Sequence, residues 1–235
     1  MRILVISPRI PEPLHDGGAV YIFKTIKALE NAGHKIILAA FESNKHPQST
    51  DKLSTFCEVY SKPVNFKPYN LSAALTSFLW KEPITVSLRM DKTIMQSILD
   101  NIRESLDLIL LEGIHSAYFI NIVRKKFPGV KVVIRTSNVE YLLLKSRNRN
   151  EKNIFKKMYL DLQVQKMKAF EKQKLNEADG FTAISTNDLI ELRKLAPYTP
   201  SAVSHPIVTL PEKQHIPKSD KILIVGNWNW QPNLD

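Results

Sequence analysis

The stretch from Met1 to Phe41 decides the fold. Met1-Arg2-Ile3-Leu4-Val5-Ile6-Ser7 opens it, Asp16-Gly17-Gly18-Ala19 divides it, and Ala32-Gly33-His34-Lys35-Ile36 leads out into Ile37-Leu38-Ala39-Ala40-Phe41. The first run is short, apolar and β-branched, as a buried strand requires. A Pro-rich loop from Pro8 to Leu14 follows, and Asp16-Gly17-Gly18 opens a helix expected to run to about Ala32. Val20, Phe23, Ile26 and Leu29 recur at intervals of three along it, and Gly33 is placed to end it as a C-cap. Residues 35–41 form the second strand. A strand, helix and strand in so short a span must give two parallel strands.

Further along, strands are expected at 56–60, 107–111, 131–135, 180–184 and 202–204. Helices are expected at 71–80, 91–104, 116–127 and 187–194, with one or two long charged helices in 140–176. Alternation of this kind predicts an α/β fold: a Rossmann-like parallel sheet with helices on both faces. Residues 1–205 then make one domain. Residues 206–219, with Pro206, Pro211 and Pro217, read as a linker. Residues 220–235 contain a fresh apolar strand at 221–225, followed by Gly226. One strand cannot bury itself, so the chain is expected to be a piece of a longer protein.

The chain has 235 residues, 43% of them hydrophobic, which suffices for a sizeable core and argues against general disorder. Its formal net charge of +10 favours anionic partners. Cys57 is the single cysteine, which excludes a disulfide framework and a cysteine-based zinc site. No His/Asp/Glu cluster has metal-ligand spacing. The apolar start is too short for a signal peptide, and Pro8 and Pro11 follow at once. No run approaches the roughly 18 apolar residues of a spanning helix. A cytoplasmic protein is expected, with attachment to the inner face of a membrane left open.

In an open parallel sheet, ligands bind beyond the carboxyl ends of the strands. Loops 7–18, 42–55, 112–116 and 136–139 are the ones so placed. Gly17 and Gly18 at a helix start let an anion approach free N–H groups. The spacing is neither Gly-x-Gly-x-x-Gly nor a P-loop, and the plainer reading is a tight turn with Asp16 as N-cap. His115 follows a strand end, where a neutral imidazole suits a sugar hydroxyl or phosphate; otherwise it caps the next helix. His15 is a weaker site candidate in the Pro-rich loop. In Arg135-Thr136-Ser137-Asn138-Val139-Glu140, Arg135 suits an anion and Asn138 and Glu140 suit hydroxyls. Ser137 or Asn138 serves equally as the N-cap of the following helix. Residues 145–176 carry ten Lys/Arg against three Asp/Glu, with Phe155, Tyr159, Leu162 and Phe170 interleaved. That pattern suits anionic lipid or nucleic acid, or a solvated face with aromatics turned into the core. Neither an RNP-type motif nor a helix-turn-helix signature is present, so nucleic acid is not expected as a partner.

Taken in order, four segments resemble the N-terminal half of GT-B glycosyltransferases, in particular family 4. They are residues 1–41, residues 135–140 and Ala178-Asp179-Gly180-Phe181-Thr182-Ala183-Ile184-Ser185-Thr186-Asn187-Asp188. The last is Ile224-Val225-Gly226-Asn227-Trp228-Asn229-Trp230-Gln231-Pro232-Asn233. The third looks like the strand closing the first domain, and the last like the first strand of the second. The resemblance implies two Rossmann-like domains facing across a cleft. The missing second domain would bind a nucleotide-sugar donor and the first would hold a glycan or lipid-linked acceptor. Transfer would retain anomeric configuration and need no metal or other cofactor. Gly17 and Gly18 would face the donor diphosphate and sugar, with His115 near the sugar or acceptor hydroxyl as the catalytic candidate. His15, Asp16, Arg135, Asn138 and Glu140 would lie on the acceptor side. Ser137 departs from the family, which often has His there. The family's donor-binding Glu-x7-Glu motif belongs to the second domain, so the chain alone is expected to be inactive. The competing expectation is a stand-alone Rossmann-like module that binds without catalysis. An anionic membrane surface is the partner expected for residues 145–176.

Overall fold

Ile3, Val5, Leu38, Ala40 and Leu110 share one core, whereas Leu4, Ile6, Ile37, Ala39, Ile109 and Leu111 share another. This alternation means that both faces of one sheet are covered. A computed structural model describes residues 1–43 and 48–207. The second-domain strand and all of the linker beyond residue 207 lie outside the described residues.

The strands are β1 (Arg2–Ser7), β2 (Lys35–Ser43), β3 (Glu58–Val64), β4 (Leu108–Glu112), β5 (Lys131–Arg135), β6 (Gly180–Ala183) and β7 (Ser201–Val203). They pair in the order β3-β2-β1-β4-β5-β6-β7, and each pairing is parallel. The helices are α1 (Gly17–Asn31), α2 (Leu71–Thr76), α3 (Ile84–Ser87), α4 (Lys92–Leu99), α5 (Gly113–Ser116), α6 (Ile120–Lys126), α7 (Glu140–Arg149), α8 (Ile154–Glu177) and α9 (Thr186–Leu195). The Rossmann-like α/β architecture expected from the sequence is therefore present. β1 lies inside the sheet between β2 and β4, and the chain crosses from β3 back to β1's other side at β4. That crossing opens the crevice at the carboxyl edge.

Three expectations need correction. In α1 the expected Ile26 is fully buried and the expected Phe23 and Leu29 pack against the core, while Val20 is only half-buried and Ala19, Tyr21 and Ile22 are buried as well. A spacing of three drifts around a helix that turns every 3.6 residues, so Val20 falls off the buried face. The helix expected over 116–127 is two: α5 starts at Gly113, directly after β4, and one tighter turn at Ala117–Phe119 separates it from α6. Gly113 makes that junction with φ +74°, a left-handed conformation natural to glycine. Finally, neither Ser137 nor Asn138 caps α7, whose N-cap is Val139. Glu171, fully buried on α8, supplies the cap from a distance: its carboxylate accepts from the backbone N–H of Glu140 (2.9 Å) and Tyr141 (3.1 Å).

Candidate active site

The first βα loop is built around a charge pair. Asp16 is the N-cap of α1, accepting from the Ala19 N–H at 3.0 Å, and it also pairs with the Arg9 guanidinium. Arg9 is the main reason that the Asp16 carboxyl is held down at about 2. A Cβ at Gly18 would stand 3.1 Å from the Arg9 guanidinium and 3.2 Å from Asp16. At Gly17 a Cβ would meet nothing within 4 Å. Gly18 is thus explained by the fold, and Gly17 is not. His15 is exposed beside them.

Glu12 fixes the rest of this loop. Its carboxylate accepts from the N–H groups of Lys52 (3.2 Å) and Leu53 (3.1 Å). A concavity of about 620 Å³ opens at the carboxyl ends of β2 and β3, with Ile10, Glu42, Gln48, Asp51 and Ser61 in its lining.

At the next strand ends the sequence brings together Glu112 and Arg135, which are register neighbours on β4 and β5. Both are buried, and their ion pair measures 2.9 Å. The Arg135 guanidinium lies 3.5 Å from the Tyr21 ring centroid, donates to the Tyr21 carbonyl at 3.1 Å and bonds the Thr25 hydroxyl. Arg135 was expected to meet an anionic ligand; its guanidinium instead clamps α1 to the sheet. Burial pushes the Glu112 carboxyl up to about 7, against the pull of Arg135. Tyr21 also donates its hydroxyl to the Ser204 carbonyl at 3.1 Å, tying α1 to the segment leaving β7.

His115 sits in α5, half-buried, just past Glu112. Burial lowers its pKa and keeps the imidazole neutral, with Glu140 opposing and Arg89 reinforcing. That influence brings Glu140 and Arg89 into the neighbourhood of His115. Asn138 joins them, donating to Glu140 at 3.5 Å and to Ser137 at 3.3 Å. The carboxyl edge therefore carries two groups: Arg9, His15, Asp16, Gly17 and Gly18 on the first βα loop, and His115 after β4 with Asn138 and Glu140 after β5, with Arg89 after α3 acting on His115. The Glu112–Arg135 pair lies under α1 and directly before α5.

Arg9 and Arg89 were missed. Arg9 was legible as a cation in the first βα loop. Arg89 lies after α3, a one-turn helix with no periodic signal, and only the fold brings it near His115. Among the described residues no group of three or more His, Cys, Asp or Glu is arranged to hold a metal ion.

This arrangement of strands is found in solved structures of sugar-transferring enzymes. UGT2 of Phytolacca americana, complexed with UDP-2-fluoro-glucose and pterostilbene, is 12% identical, with a TM-score of 0.51 over 90% of this chain and 55% of that one. UGT89C1 of Arabidopsis thaliana, complexed with quercetin, is 16% identical, with a TM-score of 0.51 over 92% of this chain and 52% of that one. The fold is of the GT-B glycosyltransferase type. At such identities the likeness concerns the fold alone, and the chain spans about half the length of those two structures. Neither a family model nor a curated protein matches the sequence.

Proposed function

We propose that this chain is the N-terminal, acceptor-holding part of a retaining GT-B glycosyltransferase of the family 4 kind. It would transfer a sugar from a nucleotide-sugar donor to a glycan or lipid-linked acceptor. The observation that carries the reading is Gly17. It stands at the N-terminus of α1 on the carboxyl edge, with ordinary backbone angles and open space where a side chain would go. Nothing in the fold requires glycine there, whereas close approach of a diphosphate to free helix N–H groups does.

In this reading Gly17 and Gly18 receive the donor diphosphate, and Arg9 adds a cation beside them. His115, neutral and within electrostatic reach of Glu140, accepts a hydrogen bond from a hydroxyl of the sugar or acceptor. The concavity at the carboxyl ends of β2 and β3 takes the body of the acceptor, against a polar lining that includes Glu42, Gln48 and Ser61. Leaving-group charge is met by helix N-termini and basic side chains, so the reading calls for no metal. The donor-binding half would be supplied by a second domain, and the isolated chain would not turn over.

The test is to read the gene beyond codon 235 and assay the complete product for sugar-dependent release of nucleotide. A domain-sized continuation with a Glu-x7-Glu motif, and activity that the 235-residue piece lacks, are expected. Turnover by the piece alone would overturn the division of labour. A stop codon at that point would favour a stand-alone binding module.

A further inference from the structure

The aromatic residues of the basic helix do not all turn inward. Phe155 on α8 is 80% exposed, and its neighbours Ile154 and Met158 are exposed with it. Against this end of α8 packs α2 with the turn that follows it. Ser77 and Tyr159 share a hydroxyl hydrogen bond of 2.9 Å, and the rings of Phe78 and Tyr159 are 5.5 Å apart. Lys166 fastens the turn further by donating to the Ser77 carbonyl at 2.6 Å. Yet α2 has no buried residue. Leu75, Phe78 and Leu79 face solvent, Leu79 at 90%. Two elements that grip each other through polar groups thus turn their apolar side chains outward together. Because Phe78 touches Tyr159, and Phe155 lies one turn before Tyr159, the outward surface is continuous.

Its rim is cationic. Lys67 and Lys81 flank α2 and its turn in the chain, Arg147, Arg149, Lys152 and Lys157 flank or lie in the first turn of α8, and all six are exposed. The nearby acids are largely engaged: Glu151 pairs with Lys156, and Asp161 accepts from Asn148 at 2.6 Å. Large exposed apolar patches mark interaction surfaces, and apolar side chains fringed by lysine and arginine are the chemistry of an anionic lipid interface. A second copy of this chain would bring the same cations against the rim. Nucleic acid would leave the leucines and Phe155 unused. No helix among the described residues is long and apolar enough to cross a membrane, so contact of this kind lies on the bilayer.

We propose that α2 with its following turn and the first turns of α8 form one docking surface for an anionic lipid bilayer. The apolar side chains enter the headgroup boundary and the surrounding cations meet lipid phosphates. The surface belongs to the same side of the molecule as the candidate site. α7 leaves the carboxyl end of β5, and α8 runs back along it, with Asp161 beside Asn148 and Glu171 beside Glu140. The proposal does not depend on sugar transfer.

Co-sedimentation tests it, using vesicles of phosphatidylcholine alone and vesicles with about a quarter phosphatidylglycerol. The chain is expected to pellet with the anionic vesicles and to be released as salt rises. Leu79→Ser with Phe155→Ser should weaken that binding about tenfold or more, with an unchanged thermal melt because both side chains are already in water. Lys152→Glu with Lys157→Glu should weaken it and reduce its salt dependence. Failure of the wild-type chain to pellet overturns the proposal. So does equal binding by the serine variant, which would leave only charge at work. Light scattering that shows a dimer abolished by the serine substitutions, with no vesicle binding, assigns the surface to a second copy instead.

Discussion

At the scale of single residues, the two neighbouring glycines make opposite demands. A methyl group at Gly18 would press on the Arg9–Asp16 pair, whereas one at Gly17 would enter empty space at the helix start. Gly17→Ala is therefore expected to change folding stability by no more than about 0.5 kcal/mol while nucleotide release by the complete enzyme falls. Gly18→Ala should lower both. Comparing melts with turnover for the two variants separates them, and unchanged turnover for Gly17→Ala would remove the observation on which the functional reading stands. The sequence pointed to this pair of glycines but did not tell them apart. That distinction depends on where Arg9 lies, and a cation seven residues before its partner carries no periodic signal. Arg135 shows the converse. Its type and position at a strand end suit an anionic ligand, yet Glu112 on the neighbouring strand consumes it, and only the β4–β5 register reveals that.

At the scale of elements, β1, β2, β4 and β5 were legible because strands buried on both faces read as unbroken apolar runs. The start of α7 at Glu140 was legible too, but its cap was not, because the cap comes from α8. Glu171 is buried, and its carboxyl is pushed from 4.5 up to about 8, chiefly by burial and also by Glu140, against the pull of the two N–H groups. A carboxyl with a raised pKa binds more protons in the folded state than in the unfolded one. Its contribution is full below 4.5 and is lost as pH rises towards about 8. Glu171→Gln cannot titrate, so its denaturation midpoint should decline less than that of the wild type over this range. Glu171→Ala leaves both N–H groups without their acceptor and should cost about 1–3 kcal/mol at low pH, a cost that shrinks as pH rises towards about 8. Identical pH profiles for wild type and Glu171→Gln would show that the carboxyl titrates normally. The outward face of α2 was illegible for a different reason. Leu71 and Leu75 lie one turn apart, as core residues do, and a sequence cannot say on which side of a helix the protein lies.

At the scale of the whole molecule, the alternation of strands and helices foretold the class of fold but not the strand order. It is the order, with β1 between β2 and β4, that sets Gly17 and His115 on adjoining loops of one edge. Among the described residues the hydrogen bond of longest sequence separation crosses that arrangement, since Tyr21 and Ser204 are 183 positions apart. Tyr21→Phe keeps the ring under the Arg135 guanidinium and removes only the hydroxyl bond, so a loss of about 0.5–1.5 kcal/mol is expected. Hydrogen exchange in α1 should quicken with it, and no change in exchange would mean that α1 is held by Arg135 alone.

The same tie has a consequence for biosynthesis. A ribosome delivers β1, α1, β2 and β3 first, and these can pair among themselves as one half-sheet. The second neighbour of β1 emerges about a hundred residues later, as β4. Until then one edge of β1, which ends inside the sheet, is bare, and both Arg135 and Ser204 are still to be made. The helix that carries the glycines is thus among the first parts synthesised and among the last to be secured. Whatever shields that half-sheet during translation decides how much of the chain reaches its native state.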